Sequence, residues 1–245
     1  MTSSAYSADP DFSVLAFDTS SPSGGIALVR GGRVVKERVD ADAGAHSTWI
    51  LGALKSFLEG TGHRLEDTSL FAVTIGPGSF TGIRIAVSTV KGMAWPLGRK
   101  VYGASTLRAL ARNIPSAGAA VCPLLDARKG EVYSALFRIN ASGGLVVLMD
   151  EKALSPSALF EEIERLAPGP VVFLGEGLKN YSKDVLERVK EARLAPEEQW
   201  RARASTVALM AFEDKGNAVS PELLAPVYLR KPGSEFKNAS RSGKP

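Results

Sequence analysis

Ser13-Val14-Leu15-Ala16-Phe17-Asp18-Thr19-Ser20-Ser21-Pro22 begins with an apolar run fit for a buried strand and ends in a cluster of turn formers. Gly25 to Val29 and Arg33 to Val39 then read as two more strands around Gly31-Gly32, a two-residue hairpin signal. The same pattern returns in the second half. Ala16-Phe17-Asp18 leads to Ala27-Leu28-Val29-Arg30, and Leu124-Leu125-Asp126 leads to Ala135-Leu136-Phe137-Arg138. In both copies an Asp precedes an Arg by twelve positions, with an Ala-Leu pair at the same offset. Two hairpins, each opened by an Asp turn, predict a duplicated α/β unit.

Outward from these hairpins, the spacing predicts helices over 46–59, 83–97, 105–112, 155–165, 180–190 and 206–215, the last closed by Gly216. Leu70–Ile75, Lys100–Ala104 and Val171–Leu174 read as further strands, and Glu191 to Arg203 as a charged, loosely ordered stretch. The expected class is α/β, with mixed sheets and crossover helices. The expected organisation is a flexible N-terminal extension (1–12), α/β subdomains over 13–113 and 114–230, and a disordered basic tail (231–245).

The 245 residues are 44% hydrophobic, 23% charged and 7% aromatic, an ordinary globular balance. Thirty Lys+Arg against 26 Asp+Glu give +4, which invites a nucleic-acid reading. The excess is local. Residues 230–245 hold Arg230, Lys231, Lys237, Arg241 and Lys244 against Glu235; removing them leaves 25 charges of each sign. The single cysteine, Cys122, excludes an intramolecular disulfide and a Cys-rich zinc site, and its apolar flanks predict a buried thiol. The polar, Ser-rich start lacks the features of a secretory signal, and no stretch suits a membrane span, so a cytoplasmic protein is expected.

Gly76-Pro77-Gly78-Ser79-Phe80-Thr81-Gly82 is the most unusual local sequence. Glycines before a helix let backbone N–H groups approach an anion, which makes Gly76, Gly78 and Ser79 candidates for nucleotide or anion binding with Asp18 and Asp126. The established phosphate-loop, dinucleotide and nucleophile-elbow spacings all fail here. The competing reading is a tight strand-to-helix turn, with each Asp bonding the turn it opens. His46 has Ile50 four positions on, so no helical histidine pair exists to hold a metal.

The two helices beside this loop are unusual in another way. Ile50, Leu51, Leu54, Phe57 and Leu58 form the expected core stripe of one; Ile83, Ala86, Val87, Val90, Met93, Ala94 and Leu97 form that of the other. Their opposite faces carry Trp49, Gly52, Ala53 and Ser56, and Ile85, Ser88, Thr89, Gly92 and Trp95, with Arg84 and Lys91 along one edge. Mid-helix glycine costs about 1 kcal/mol against alanine, so Gly52 and Gly92 call for a packing reason. Either a partner's helices or a later segment of this chain covers these faces.

Leu15-Ala16-Phe17-Asp18-Thr19-Ser20, His46-Ser47, Thr74-Ile75-Gly76-Pro77-Gly78-Ser79-Phe80-Thr81-Gly82-Ile83-Arg84, Asp126-Ala127-Arg128-Lys129-Gly130-Glu131-Val132-Tyr133 and Pro226-Val227-Tyr228-Leu229-Arg230 closely resemble the TsaB (YeaZ) family. The likeness covers about residues 13–230. It implies an actin-like ATPase (ASKHA, RNase H-like) fold and a non-catalytic, activating role in making N6-threonylcarbamoyladenosine at position 37 of tRNA. It implies a heterodimer with the catalytic paralogue TsaD through the first two helices, with His46, Trp49, Gly52, Ala53, Ser56, Arg84, Ile85, Ser88, Thr89, Gly92 and Trp95 as contact residues. The ATPase TsaE joins that pair. ATP/ADP and metal belong to these partners, tRNA is met mainly through the complex, and the chain alone is expected to form a homodimer through the same helices. The rival reading is an actin-like ATPase or kinase using Asp18, Asp126 and the 76–82 loop.

Overall fold

The computed structural model describes residues 9–40, 46–167 and 169–230, with backbone alone for 46–48. The basic tail (231–245), the first eight residues of the expected extension and the side chain of His46 lie outside the described residues.

Two five-stranded mixed sheets repeat one topology. In the first, β1 (Ser13–Asp18) pairs antiparallel with β2 (Gly24–Arg30), which carries the edge strand β3 (Arg33–Asp40). On the other side of β1, β4 (Leu70–Gly76) and β5 (Val101–Ser105) run parallel to it. The second sheet has β6 (Ala120–Arg128), β7 (Glu131–Ile139) and β8 (Leu145–Leu154) as the antiparallel arm, and β9 (Val171–Leu174) and β10 (Ala192–Leu194) as the parallel arm. Strand orders β3-β2-β1-β4-β5 and β8-β7-β6-β9-β10 superpose element for element. The helices repeat too: α1 (His46–Glu59), α2 (Phe80–Ala94) and α3 (Thr106–Ala111) answer to α4 (Pro156–Leu166), α5 (Leu178–Arg188) and α6 (Ala204–Glu213). This is the actin-like ATPase fold, and the Asp18 and Asp126 turns occupy matching places in its two halves.

Several elements depart from the sequence expectation. β8 falls on a stretch given no element, and β10 occupies the segment expected to be loosely ordered, held by its backbone ladder to β9. The α2 helix begins at Phe80 rather than Ile83, because the Ser79 hydroxyl accepts from Gly82 N at 3.2 Å and caps the first turn. The α6 helix ends at Glu213, and Gly216 sits in a following 3₁₀ turn (Lys215–Asn217) rather than capping it. On α1 the buried face is Ile50, Ala53, Leu54 and Phe57, the i, i+3, i+4, i+7 positions, while Leu51 is 61% exposed. Leu51 and Ala53 thus exchange the places expected of them, since Leu51 stands about 100° from Ile50 around the helix.

The third helices cross between the halves. From the first half, α3 packs Leu107, Leu110 and Ala111 against Val121, Ala135 and Phe137 of the second sheet. From the second half, α6 packs Val207, Ala208, Met210 and Ala211 against Val14, Ala16, Val29 and Ala72 of the first. The chain then runs on along the first sheet, with Val219 bridged to Val101 and Leu224 buried in that core. At the other end Phe12 joins the same layer: its carbonyl accepts from Gly31 N at 3.0 Å and its ring meets Phe212 edge-on.

Two buried groups have clear roles. Burial pushes the Cys122 thiol up to about 12, with Ser134 Oγ 3.2 Å from Sγ pulling weakly the other way; this is a structural cysteine, as the apolar run predicts. His63 Nδ1 lies 3.2 Å from Arg30 Nη2, and Nε2 lies 3.0 Å from Thr68 Oγ1. A guanidinium only donates, so Nδ1 accepts and the neutral ring donates from Nε2. Burial first, then the Arg30 charge, holds the His63 pKa below 6.5. The unfolded chain therefore binds this proton before the folded one does, and stability falls as pH drops below about 6.5. The melting temperature is expected to fall from pH 7 toward pH 5, and to fall less in His63→Gln; equal pH profiles would remove His63 as the cause.

Candidate functional site

Two surfaces present themselves. The first is the outer face of α1 and α2, which lie side by side on one face of the first sheet. Gly52 and Gly92 are exposed, and no described atom beyond the neighbouring residues and the helix's own backbone lies within 4 Å of where a Cβ would stand on either. Trp95 is 62% exposed, and Ser56, Arg84 and Ser88 also face outward. Ile85 and Thr89 are half-buried, and Ala53 is in the core. Trp49 faces inward in part: its ring covers Gly24, leaving no room there for a Cβ, and its Nε1 donates to Asp40 Oδ2 at 2.8 Å. Among the described residues, no later segment of the chain covers Gly52 or Gly92.

The sequence reading missed Leu51 as part of this surface. Its adjacency to Gly52, a position already assigned outward, was the available signal.

The second surface is a cleft of about 1600 Å³ between the two sheets. Its walls are the turn after β1, the 76–82 loop, the β6–β7 turn, the start of α5 and the returning segment 222–230. Gly78, Ser79 and Asp126 line it, whereas Asp18 lines a smaller hollow beside Ser23, Gly24 and Arg203. The two aspartates are not brought to one cavity.

Each aspartate is engaged by its own turn. Asp18, fully buried, accepts on Oδ1 from Ser20 N (3.2 Å), Ser20 Oγ (2.7 Å) and Thr74 Oγ1 (2.6 Å). Asp126 accepts from Arg128 N at 2.7 Å and, on its other oxygen, from Asn180 Nδ2 at 3.3 Å. The glycine loop is packed likewise. Ser79 N donates to Ser20 O at 2.8 Å, and Val227 N donates to Ile75 O at 2.8 Å. A Cβ on Gly78 would stand 2.4 Å from Ser20 O, and one on Gly76, at φ +118°, would stand 2.6 Å from Val227 O. The second half repeats the device: Gly177 N donates to Leu124 O at 3.0 Å, and a Cβ on Gly175 would stand 2.3 Å from that oxygen. Close backbone approach therefore accounts for these glycines. Gly78→Ala is expected to lower stability by about 2–4 kcal/mol, measured by urea unfolding, because the obstructing atom is backbone and cannot swing away.

Thr106 Oγ1, at the first turn of α3, is buried on the cleft wall with no hydrogen-bond partner among the described residues. Among the described residues, no group of three or more His, Cys, Asp or Glu is placed to hold a metal ion. No described helix is long and apolar enough to cross a membrane.

A family model described as "TsaD: tRNA N6-adenosine threonylcarbamoyltransferase" matches residues 38–189. The tRNA threonylcarbamoyladenosine biosynthesis protein TsaB of Bacillus subtilis (strain 168) is 32% identical over 228 residues, covering 91% of this chain and 96% of that protein. The chain belongs to the TsaB family. The Escherichia coli (strain K12) TsaB is 30% identical over 229 residues, 89% of this chain and 94% of that protein. Among solved structures, YeaZ from Pseudomonas aeruginosa superposes with a TM-score of 0.74 at 28% identity, covering 89% of this chain and all of that one. The ethanolamine utilization protein EutJ from Carboxydothermus hydrogenoformans, with a TM-score of 0.51 at 14% identity over 80% of this chain and 89% of its own, shares the fold alone. The TsaB family is named for the biosynthesis of tRNA threonylcarbamoyladenosine, and the family model places a TsaD-like domain over most of this chain's length.

Proposed function

We propose that this chain is the non-catalytic, activating subunit of the bacterial complex that makes N6-threonylcarbamoyladenosine at position 37 of tRNA. It pairs with the catalytic subunit TsaD through α1 and α2. The observation that carries this reading is the open ground at Gly52 and Gly92, between a 61% exposed Leu51 and a 62% exposed Trp95. Helices that display glycine beside exposed large apolar groups suit a facing helix at short distance, since backbones approach closely only where side chains are small. TsaE binds the resulting pair, ATP/ADP and metal reside with the partners, and tRNA is met mainly through the complex in the cytoplasm. Alone, the chain pairs with a second copy through the same face.

The rival reading, nucleotide chemistry by Asp18, Asp126 and the 76–82 loop, draws no support from the geometry. Asp18 and Asp126 hold turns in different cavities, the Ser79 N–H is donated to Ser20 O, and the Ser79 hydroxyl oxygen caps α2. The test is reconstitution of the modification from purified TsaD, TsaE, the threonylcarbamoyl-adenylate supply and tRNA, with and without this chain. Modified adenosine is expected only with the chain present; equal modification without it would overturn the reading.

A further inference from the structure

The chain up to residue 229 is electrically neutral, but its cleft is not. Among the described residues, seven Lys or Arg line the cleft, against Asp126, Glu176 and Glu222. Lys179 and Arg201 share Glu176, while Arg230 turns to Glu131 and the Ala127 carbonyl. At the β6–β7 turn Arg128 and Lys129 both adopt left-handed backbone, φ 64° and 53°, and stand exposed; the Arg128 side chain is 86% accessible, with Nη1 4.0 Å from Asp126 Oδ2. Two consecutive non-glycine residues in that region are uncommon, and here both end in cations at the cleft.

The cleft lining also includes an exposed ring pair. Phe80 (56% exposed) and Tyr228 (46% exposed) lie with ring centroids 5.4 Å apart and planes at 35°, and the Arg84 guanidinium sits 5.1 Å over the Phe80 ring. Exposed aromatic rings beside a guanidinium form a stacking platform for flat, electron-rich groups.

We propose that the cleft binds a single-stranded segment of RNA, with bases on the Phe80–Tyr228 pair and phosphates on the Arg128–Lys129 turn. A duplex hides its base faces, whereas a loop offers both unstacked bases and a dense row of phosphates, the two groups this surface is built to meet. An acidic protein segment would satisfy the cations and leave the rings idle. The inference rests on the reading of the chain as part of a tRNA-modifying assembly and gives it a direct share in holding that tRNA.

The test is fluorescence anisotropy with a labelled, unmodified tRNA anticodon stem-loop, using the full chain over a series of salt concentrations. Arg128→Ala/Lys129→Ala is expected to weaken binding at least tenfold and to flatten the slope of log K against log salt by about 1.4, the share of two single-strand phosphate contacts. Phe80→Ala/Tyr228→Ala is expected to weaken binding at least fivefold with the slope unchanged, as lost stacking requires. Thermal melting of both variants, matched to the parent, separates these losses from misfolding. Parent-like affinity in either folded variant, equal competition by poly-aspartate, or no binding at about 100 μM chain overturns the proposal. A chain that supports modification in the reconstituted assay while both variants hold RNA like the parent leaves the functional reading standing without this one. Failure of modification with the chain present removes the functional reading, and the anisotropy result still decides the RNA site.

Discussion

Gly92→Arg is expected to leave the chain folded while abolishing its co-elution with the catalytic subunit on gel filtration. Gly92 lies exposed in the last turn of α2 with open space around its missing Cβ, so the substitution meets no obstacle within the monomer. Arginine is also the better helix former by up to about 1 kcal/mol, and the melting temperature should hold or rise slightly. At a close helix–helix contact the same side chain would have to bury a cation against a facing backbone. An unpaired buried charge costs several kcal/mol, equivalent to a loss of affinity of a hundredfold or more. Gly52→Arg on α1 should behave alike. Normal co-elution of both variants would place the contact with the catalytic subunit elsewhere on the chain.

Val207→Asp is expected to show the opposite pattern, a chain that no longer holds its fold. Val207 is fully buried on α6, in the layer that covers the first sheet. A carboxylate there loses an apolar contact worth about 1.5–3 kcal/mol and gains no partner for its charge. The combined loss, about 4 kcal/mol or more, is a large part of the margin of an ordinary domain. Urea unfolding followed by circular dichroism should show the midpoint collapse, whereas Leu186→Asp on the 55% exposed site of α5 should shift stability by only about 0.5 kcal/mol. A parent-like midpoint for Val207→Asp would mean that α6 contributes little to holding the first sheet.

Most strands of the fold were legible because their signals are local. Residues 14–17 are an unbroken apolar run, Gly31-Gly32 marks the hairpin of β2 and β3, and the Asp-to-Arg echo exposes the duplication. β10 was not legible, since three residues with a charge at their centre carry no periodicity and are placed by pairing with β9 and by packing on the second core. β8 begins with an apolar run but pairs with β7 through register shifts, and its outer positions face solvent, which blurs the alternation. That α6 would cover the first sheet could not be read at all, because helix periodicity says which face is buried and nothing of what buries it.

The candidate site divides in the same way. The bare faces at Gly52 and Gly92 follow from helical phase, and the structure leaves them open. The phase misplaced Leu51 and Ala53 because Ala53 is too small to announce burial. Why Gly76 and Gly78 must be glycine was out of reach. Their obstacles, Val227 O and Ser20 O, come from distant parts of the chain.

The crossing of α3 and α6 bears on how the two halves fold. Leu107 and Leu110 of the first half are buried against the second sheet, and Val207 and Ala208 of the second half against the first. Either half cut from the chain would leave its own sheet without the covering helix and carry a helix with no sheet to bury its apolar face. The duplicated lobes are therefore one folding unit, tied together by the helices they exchange.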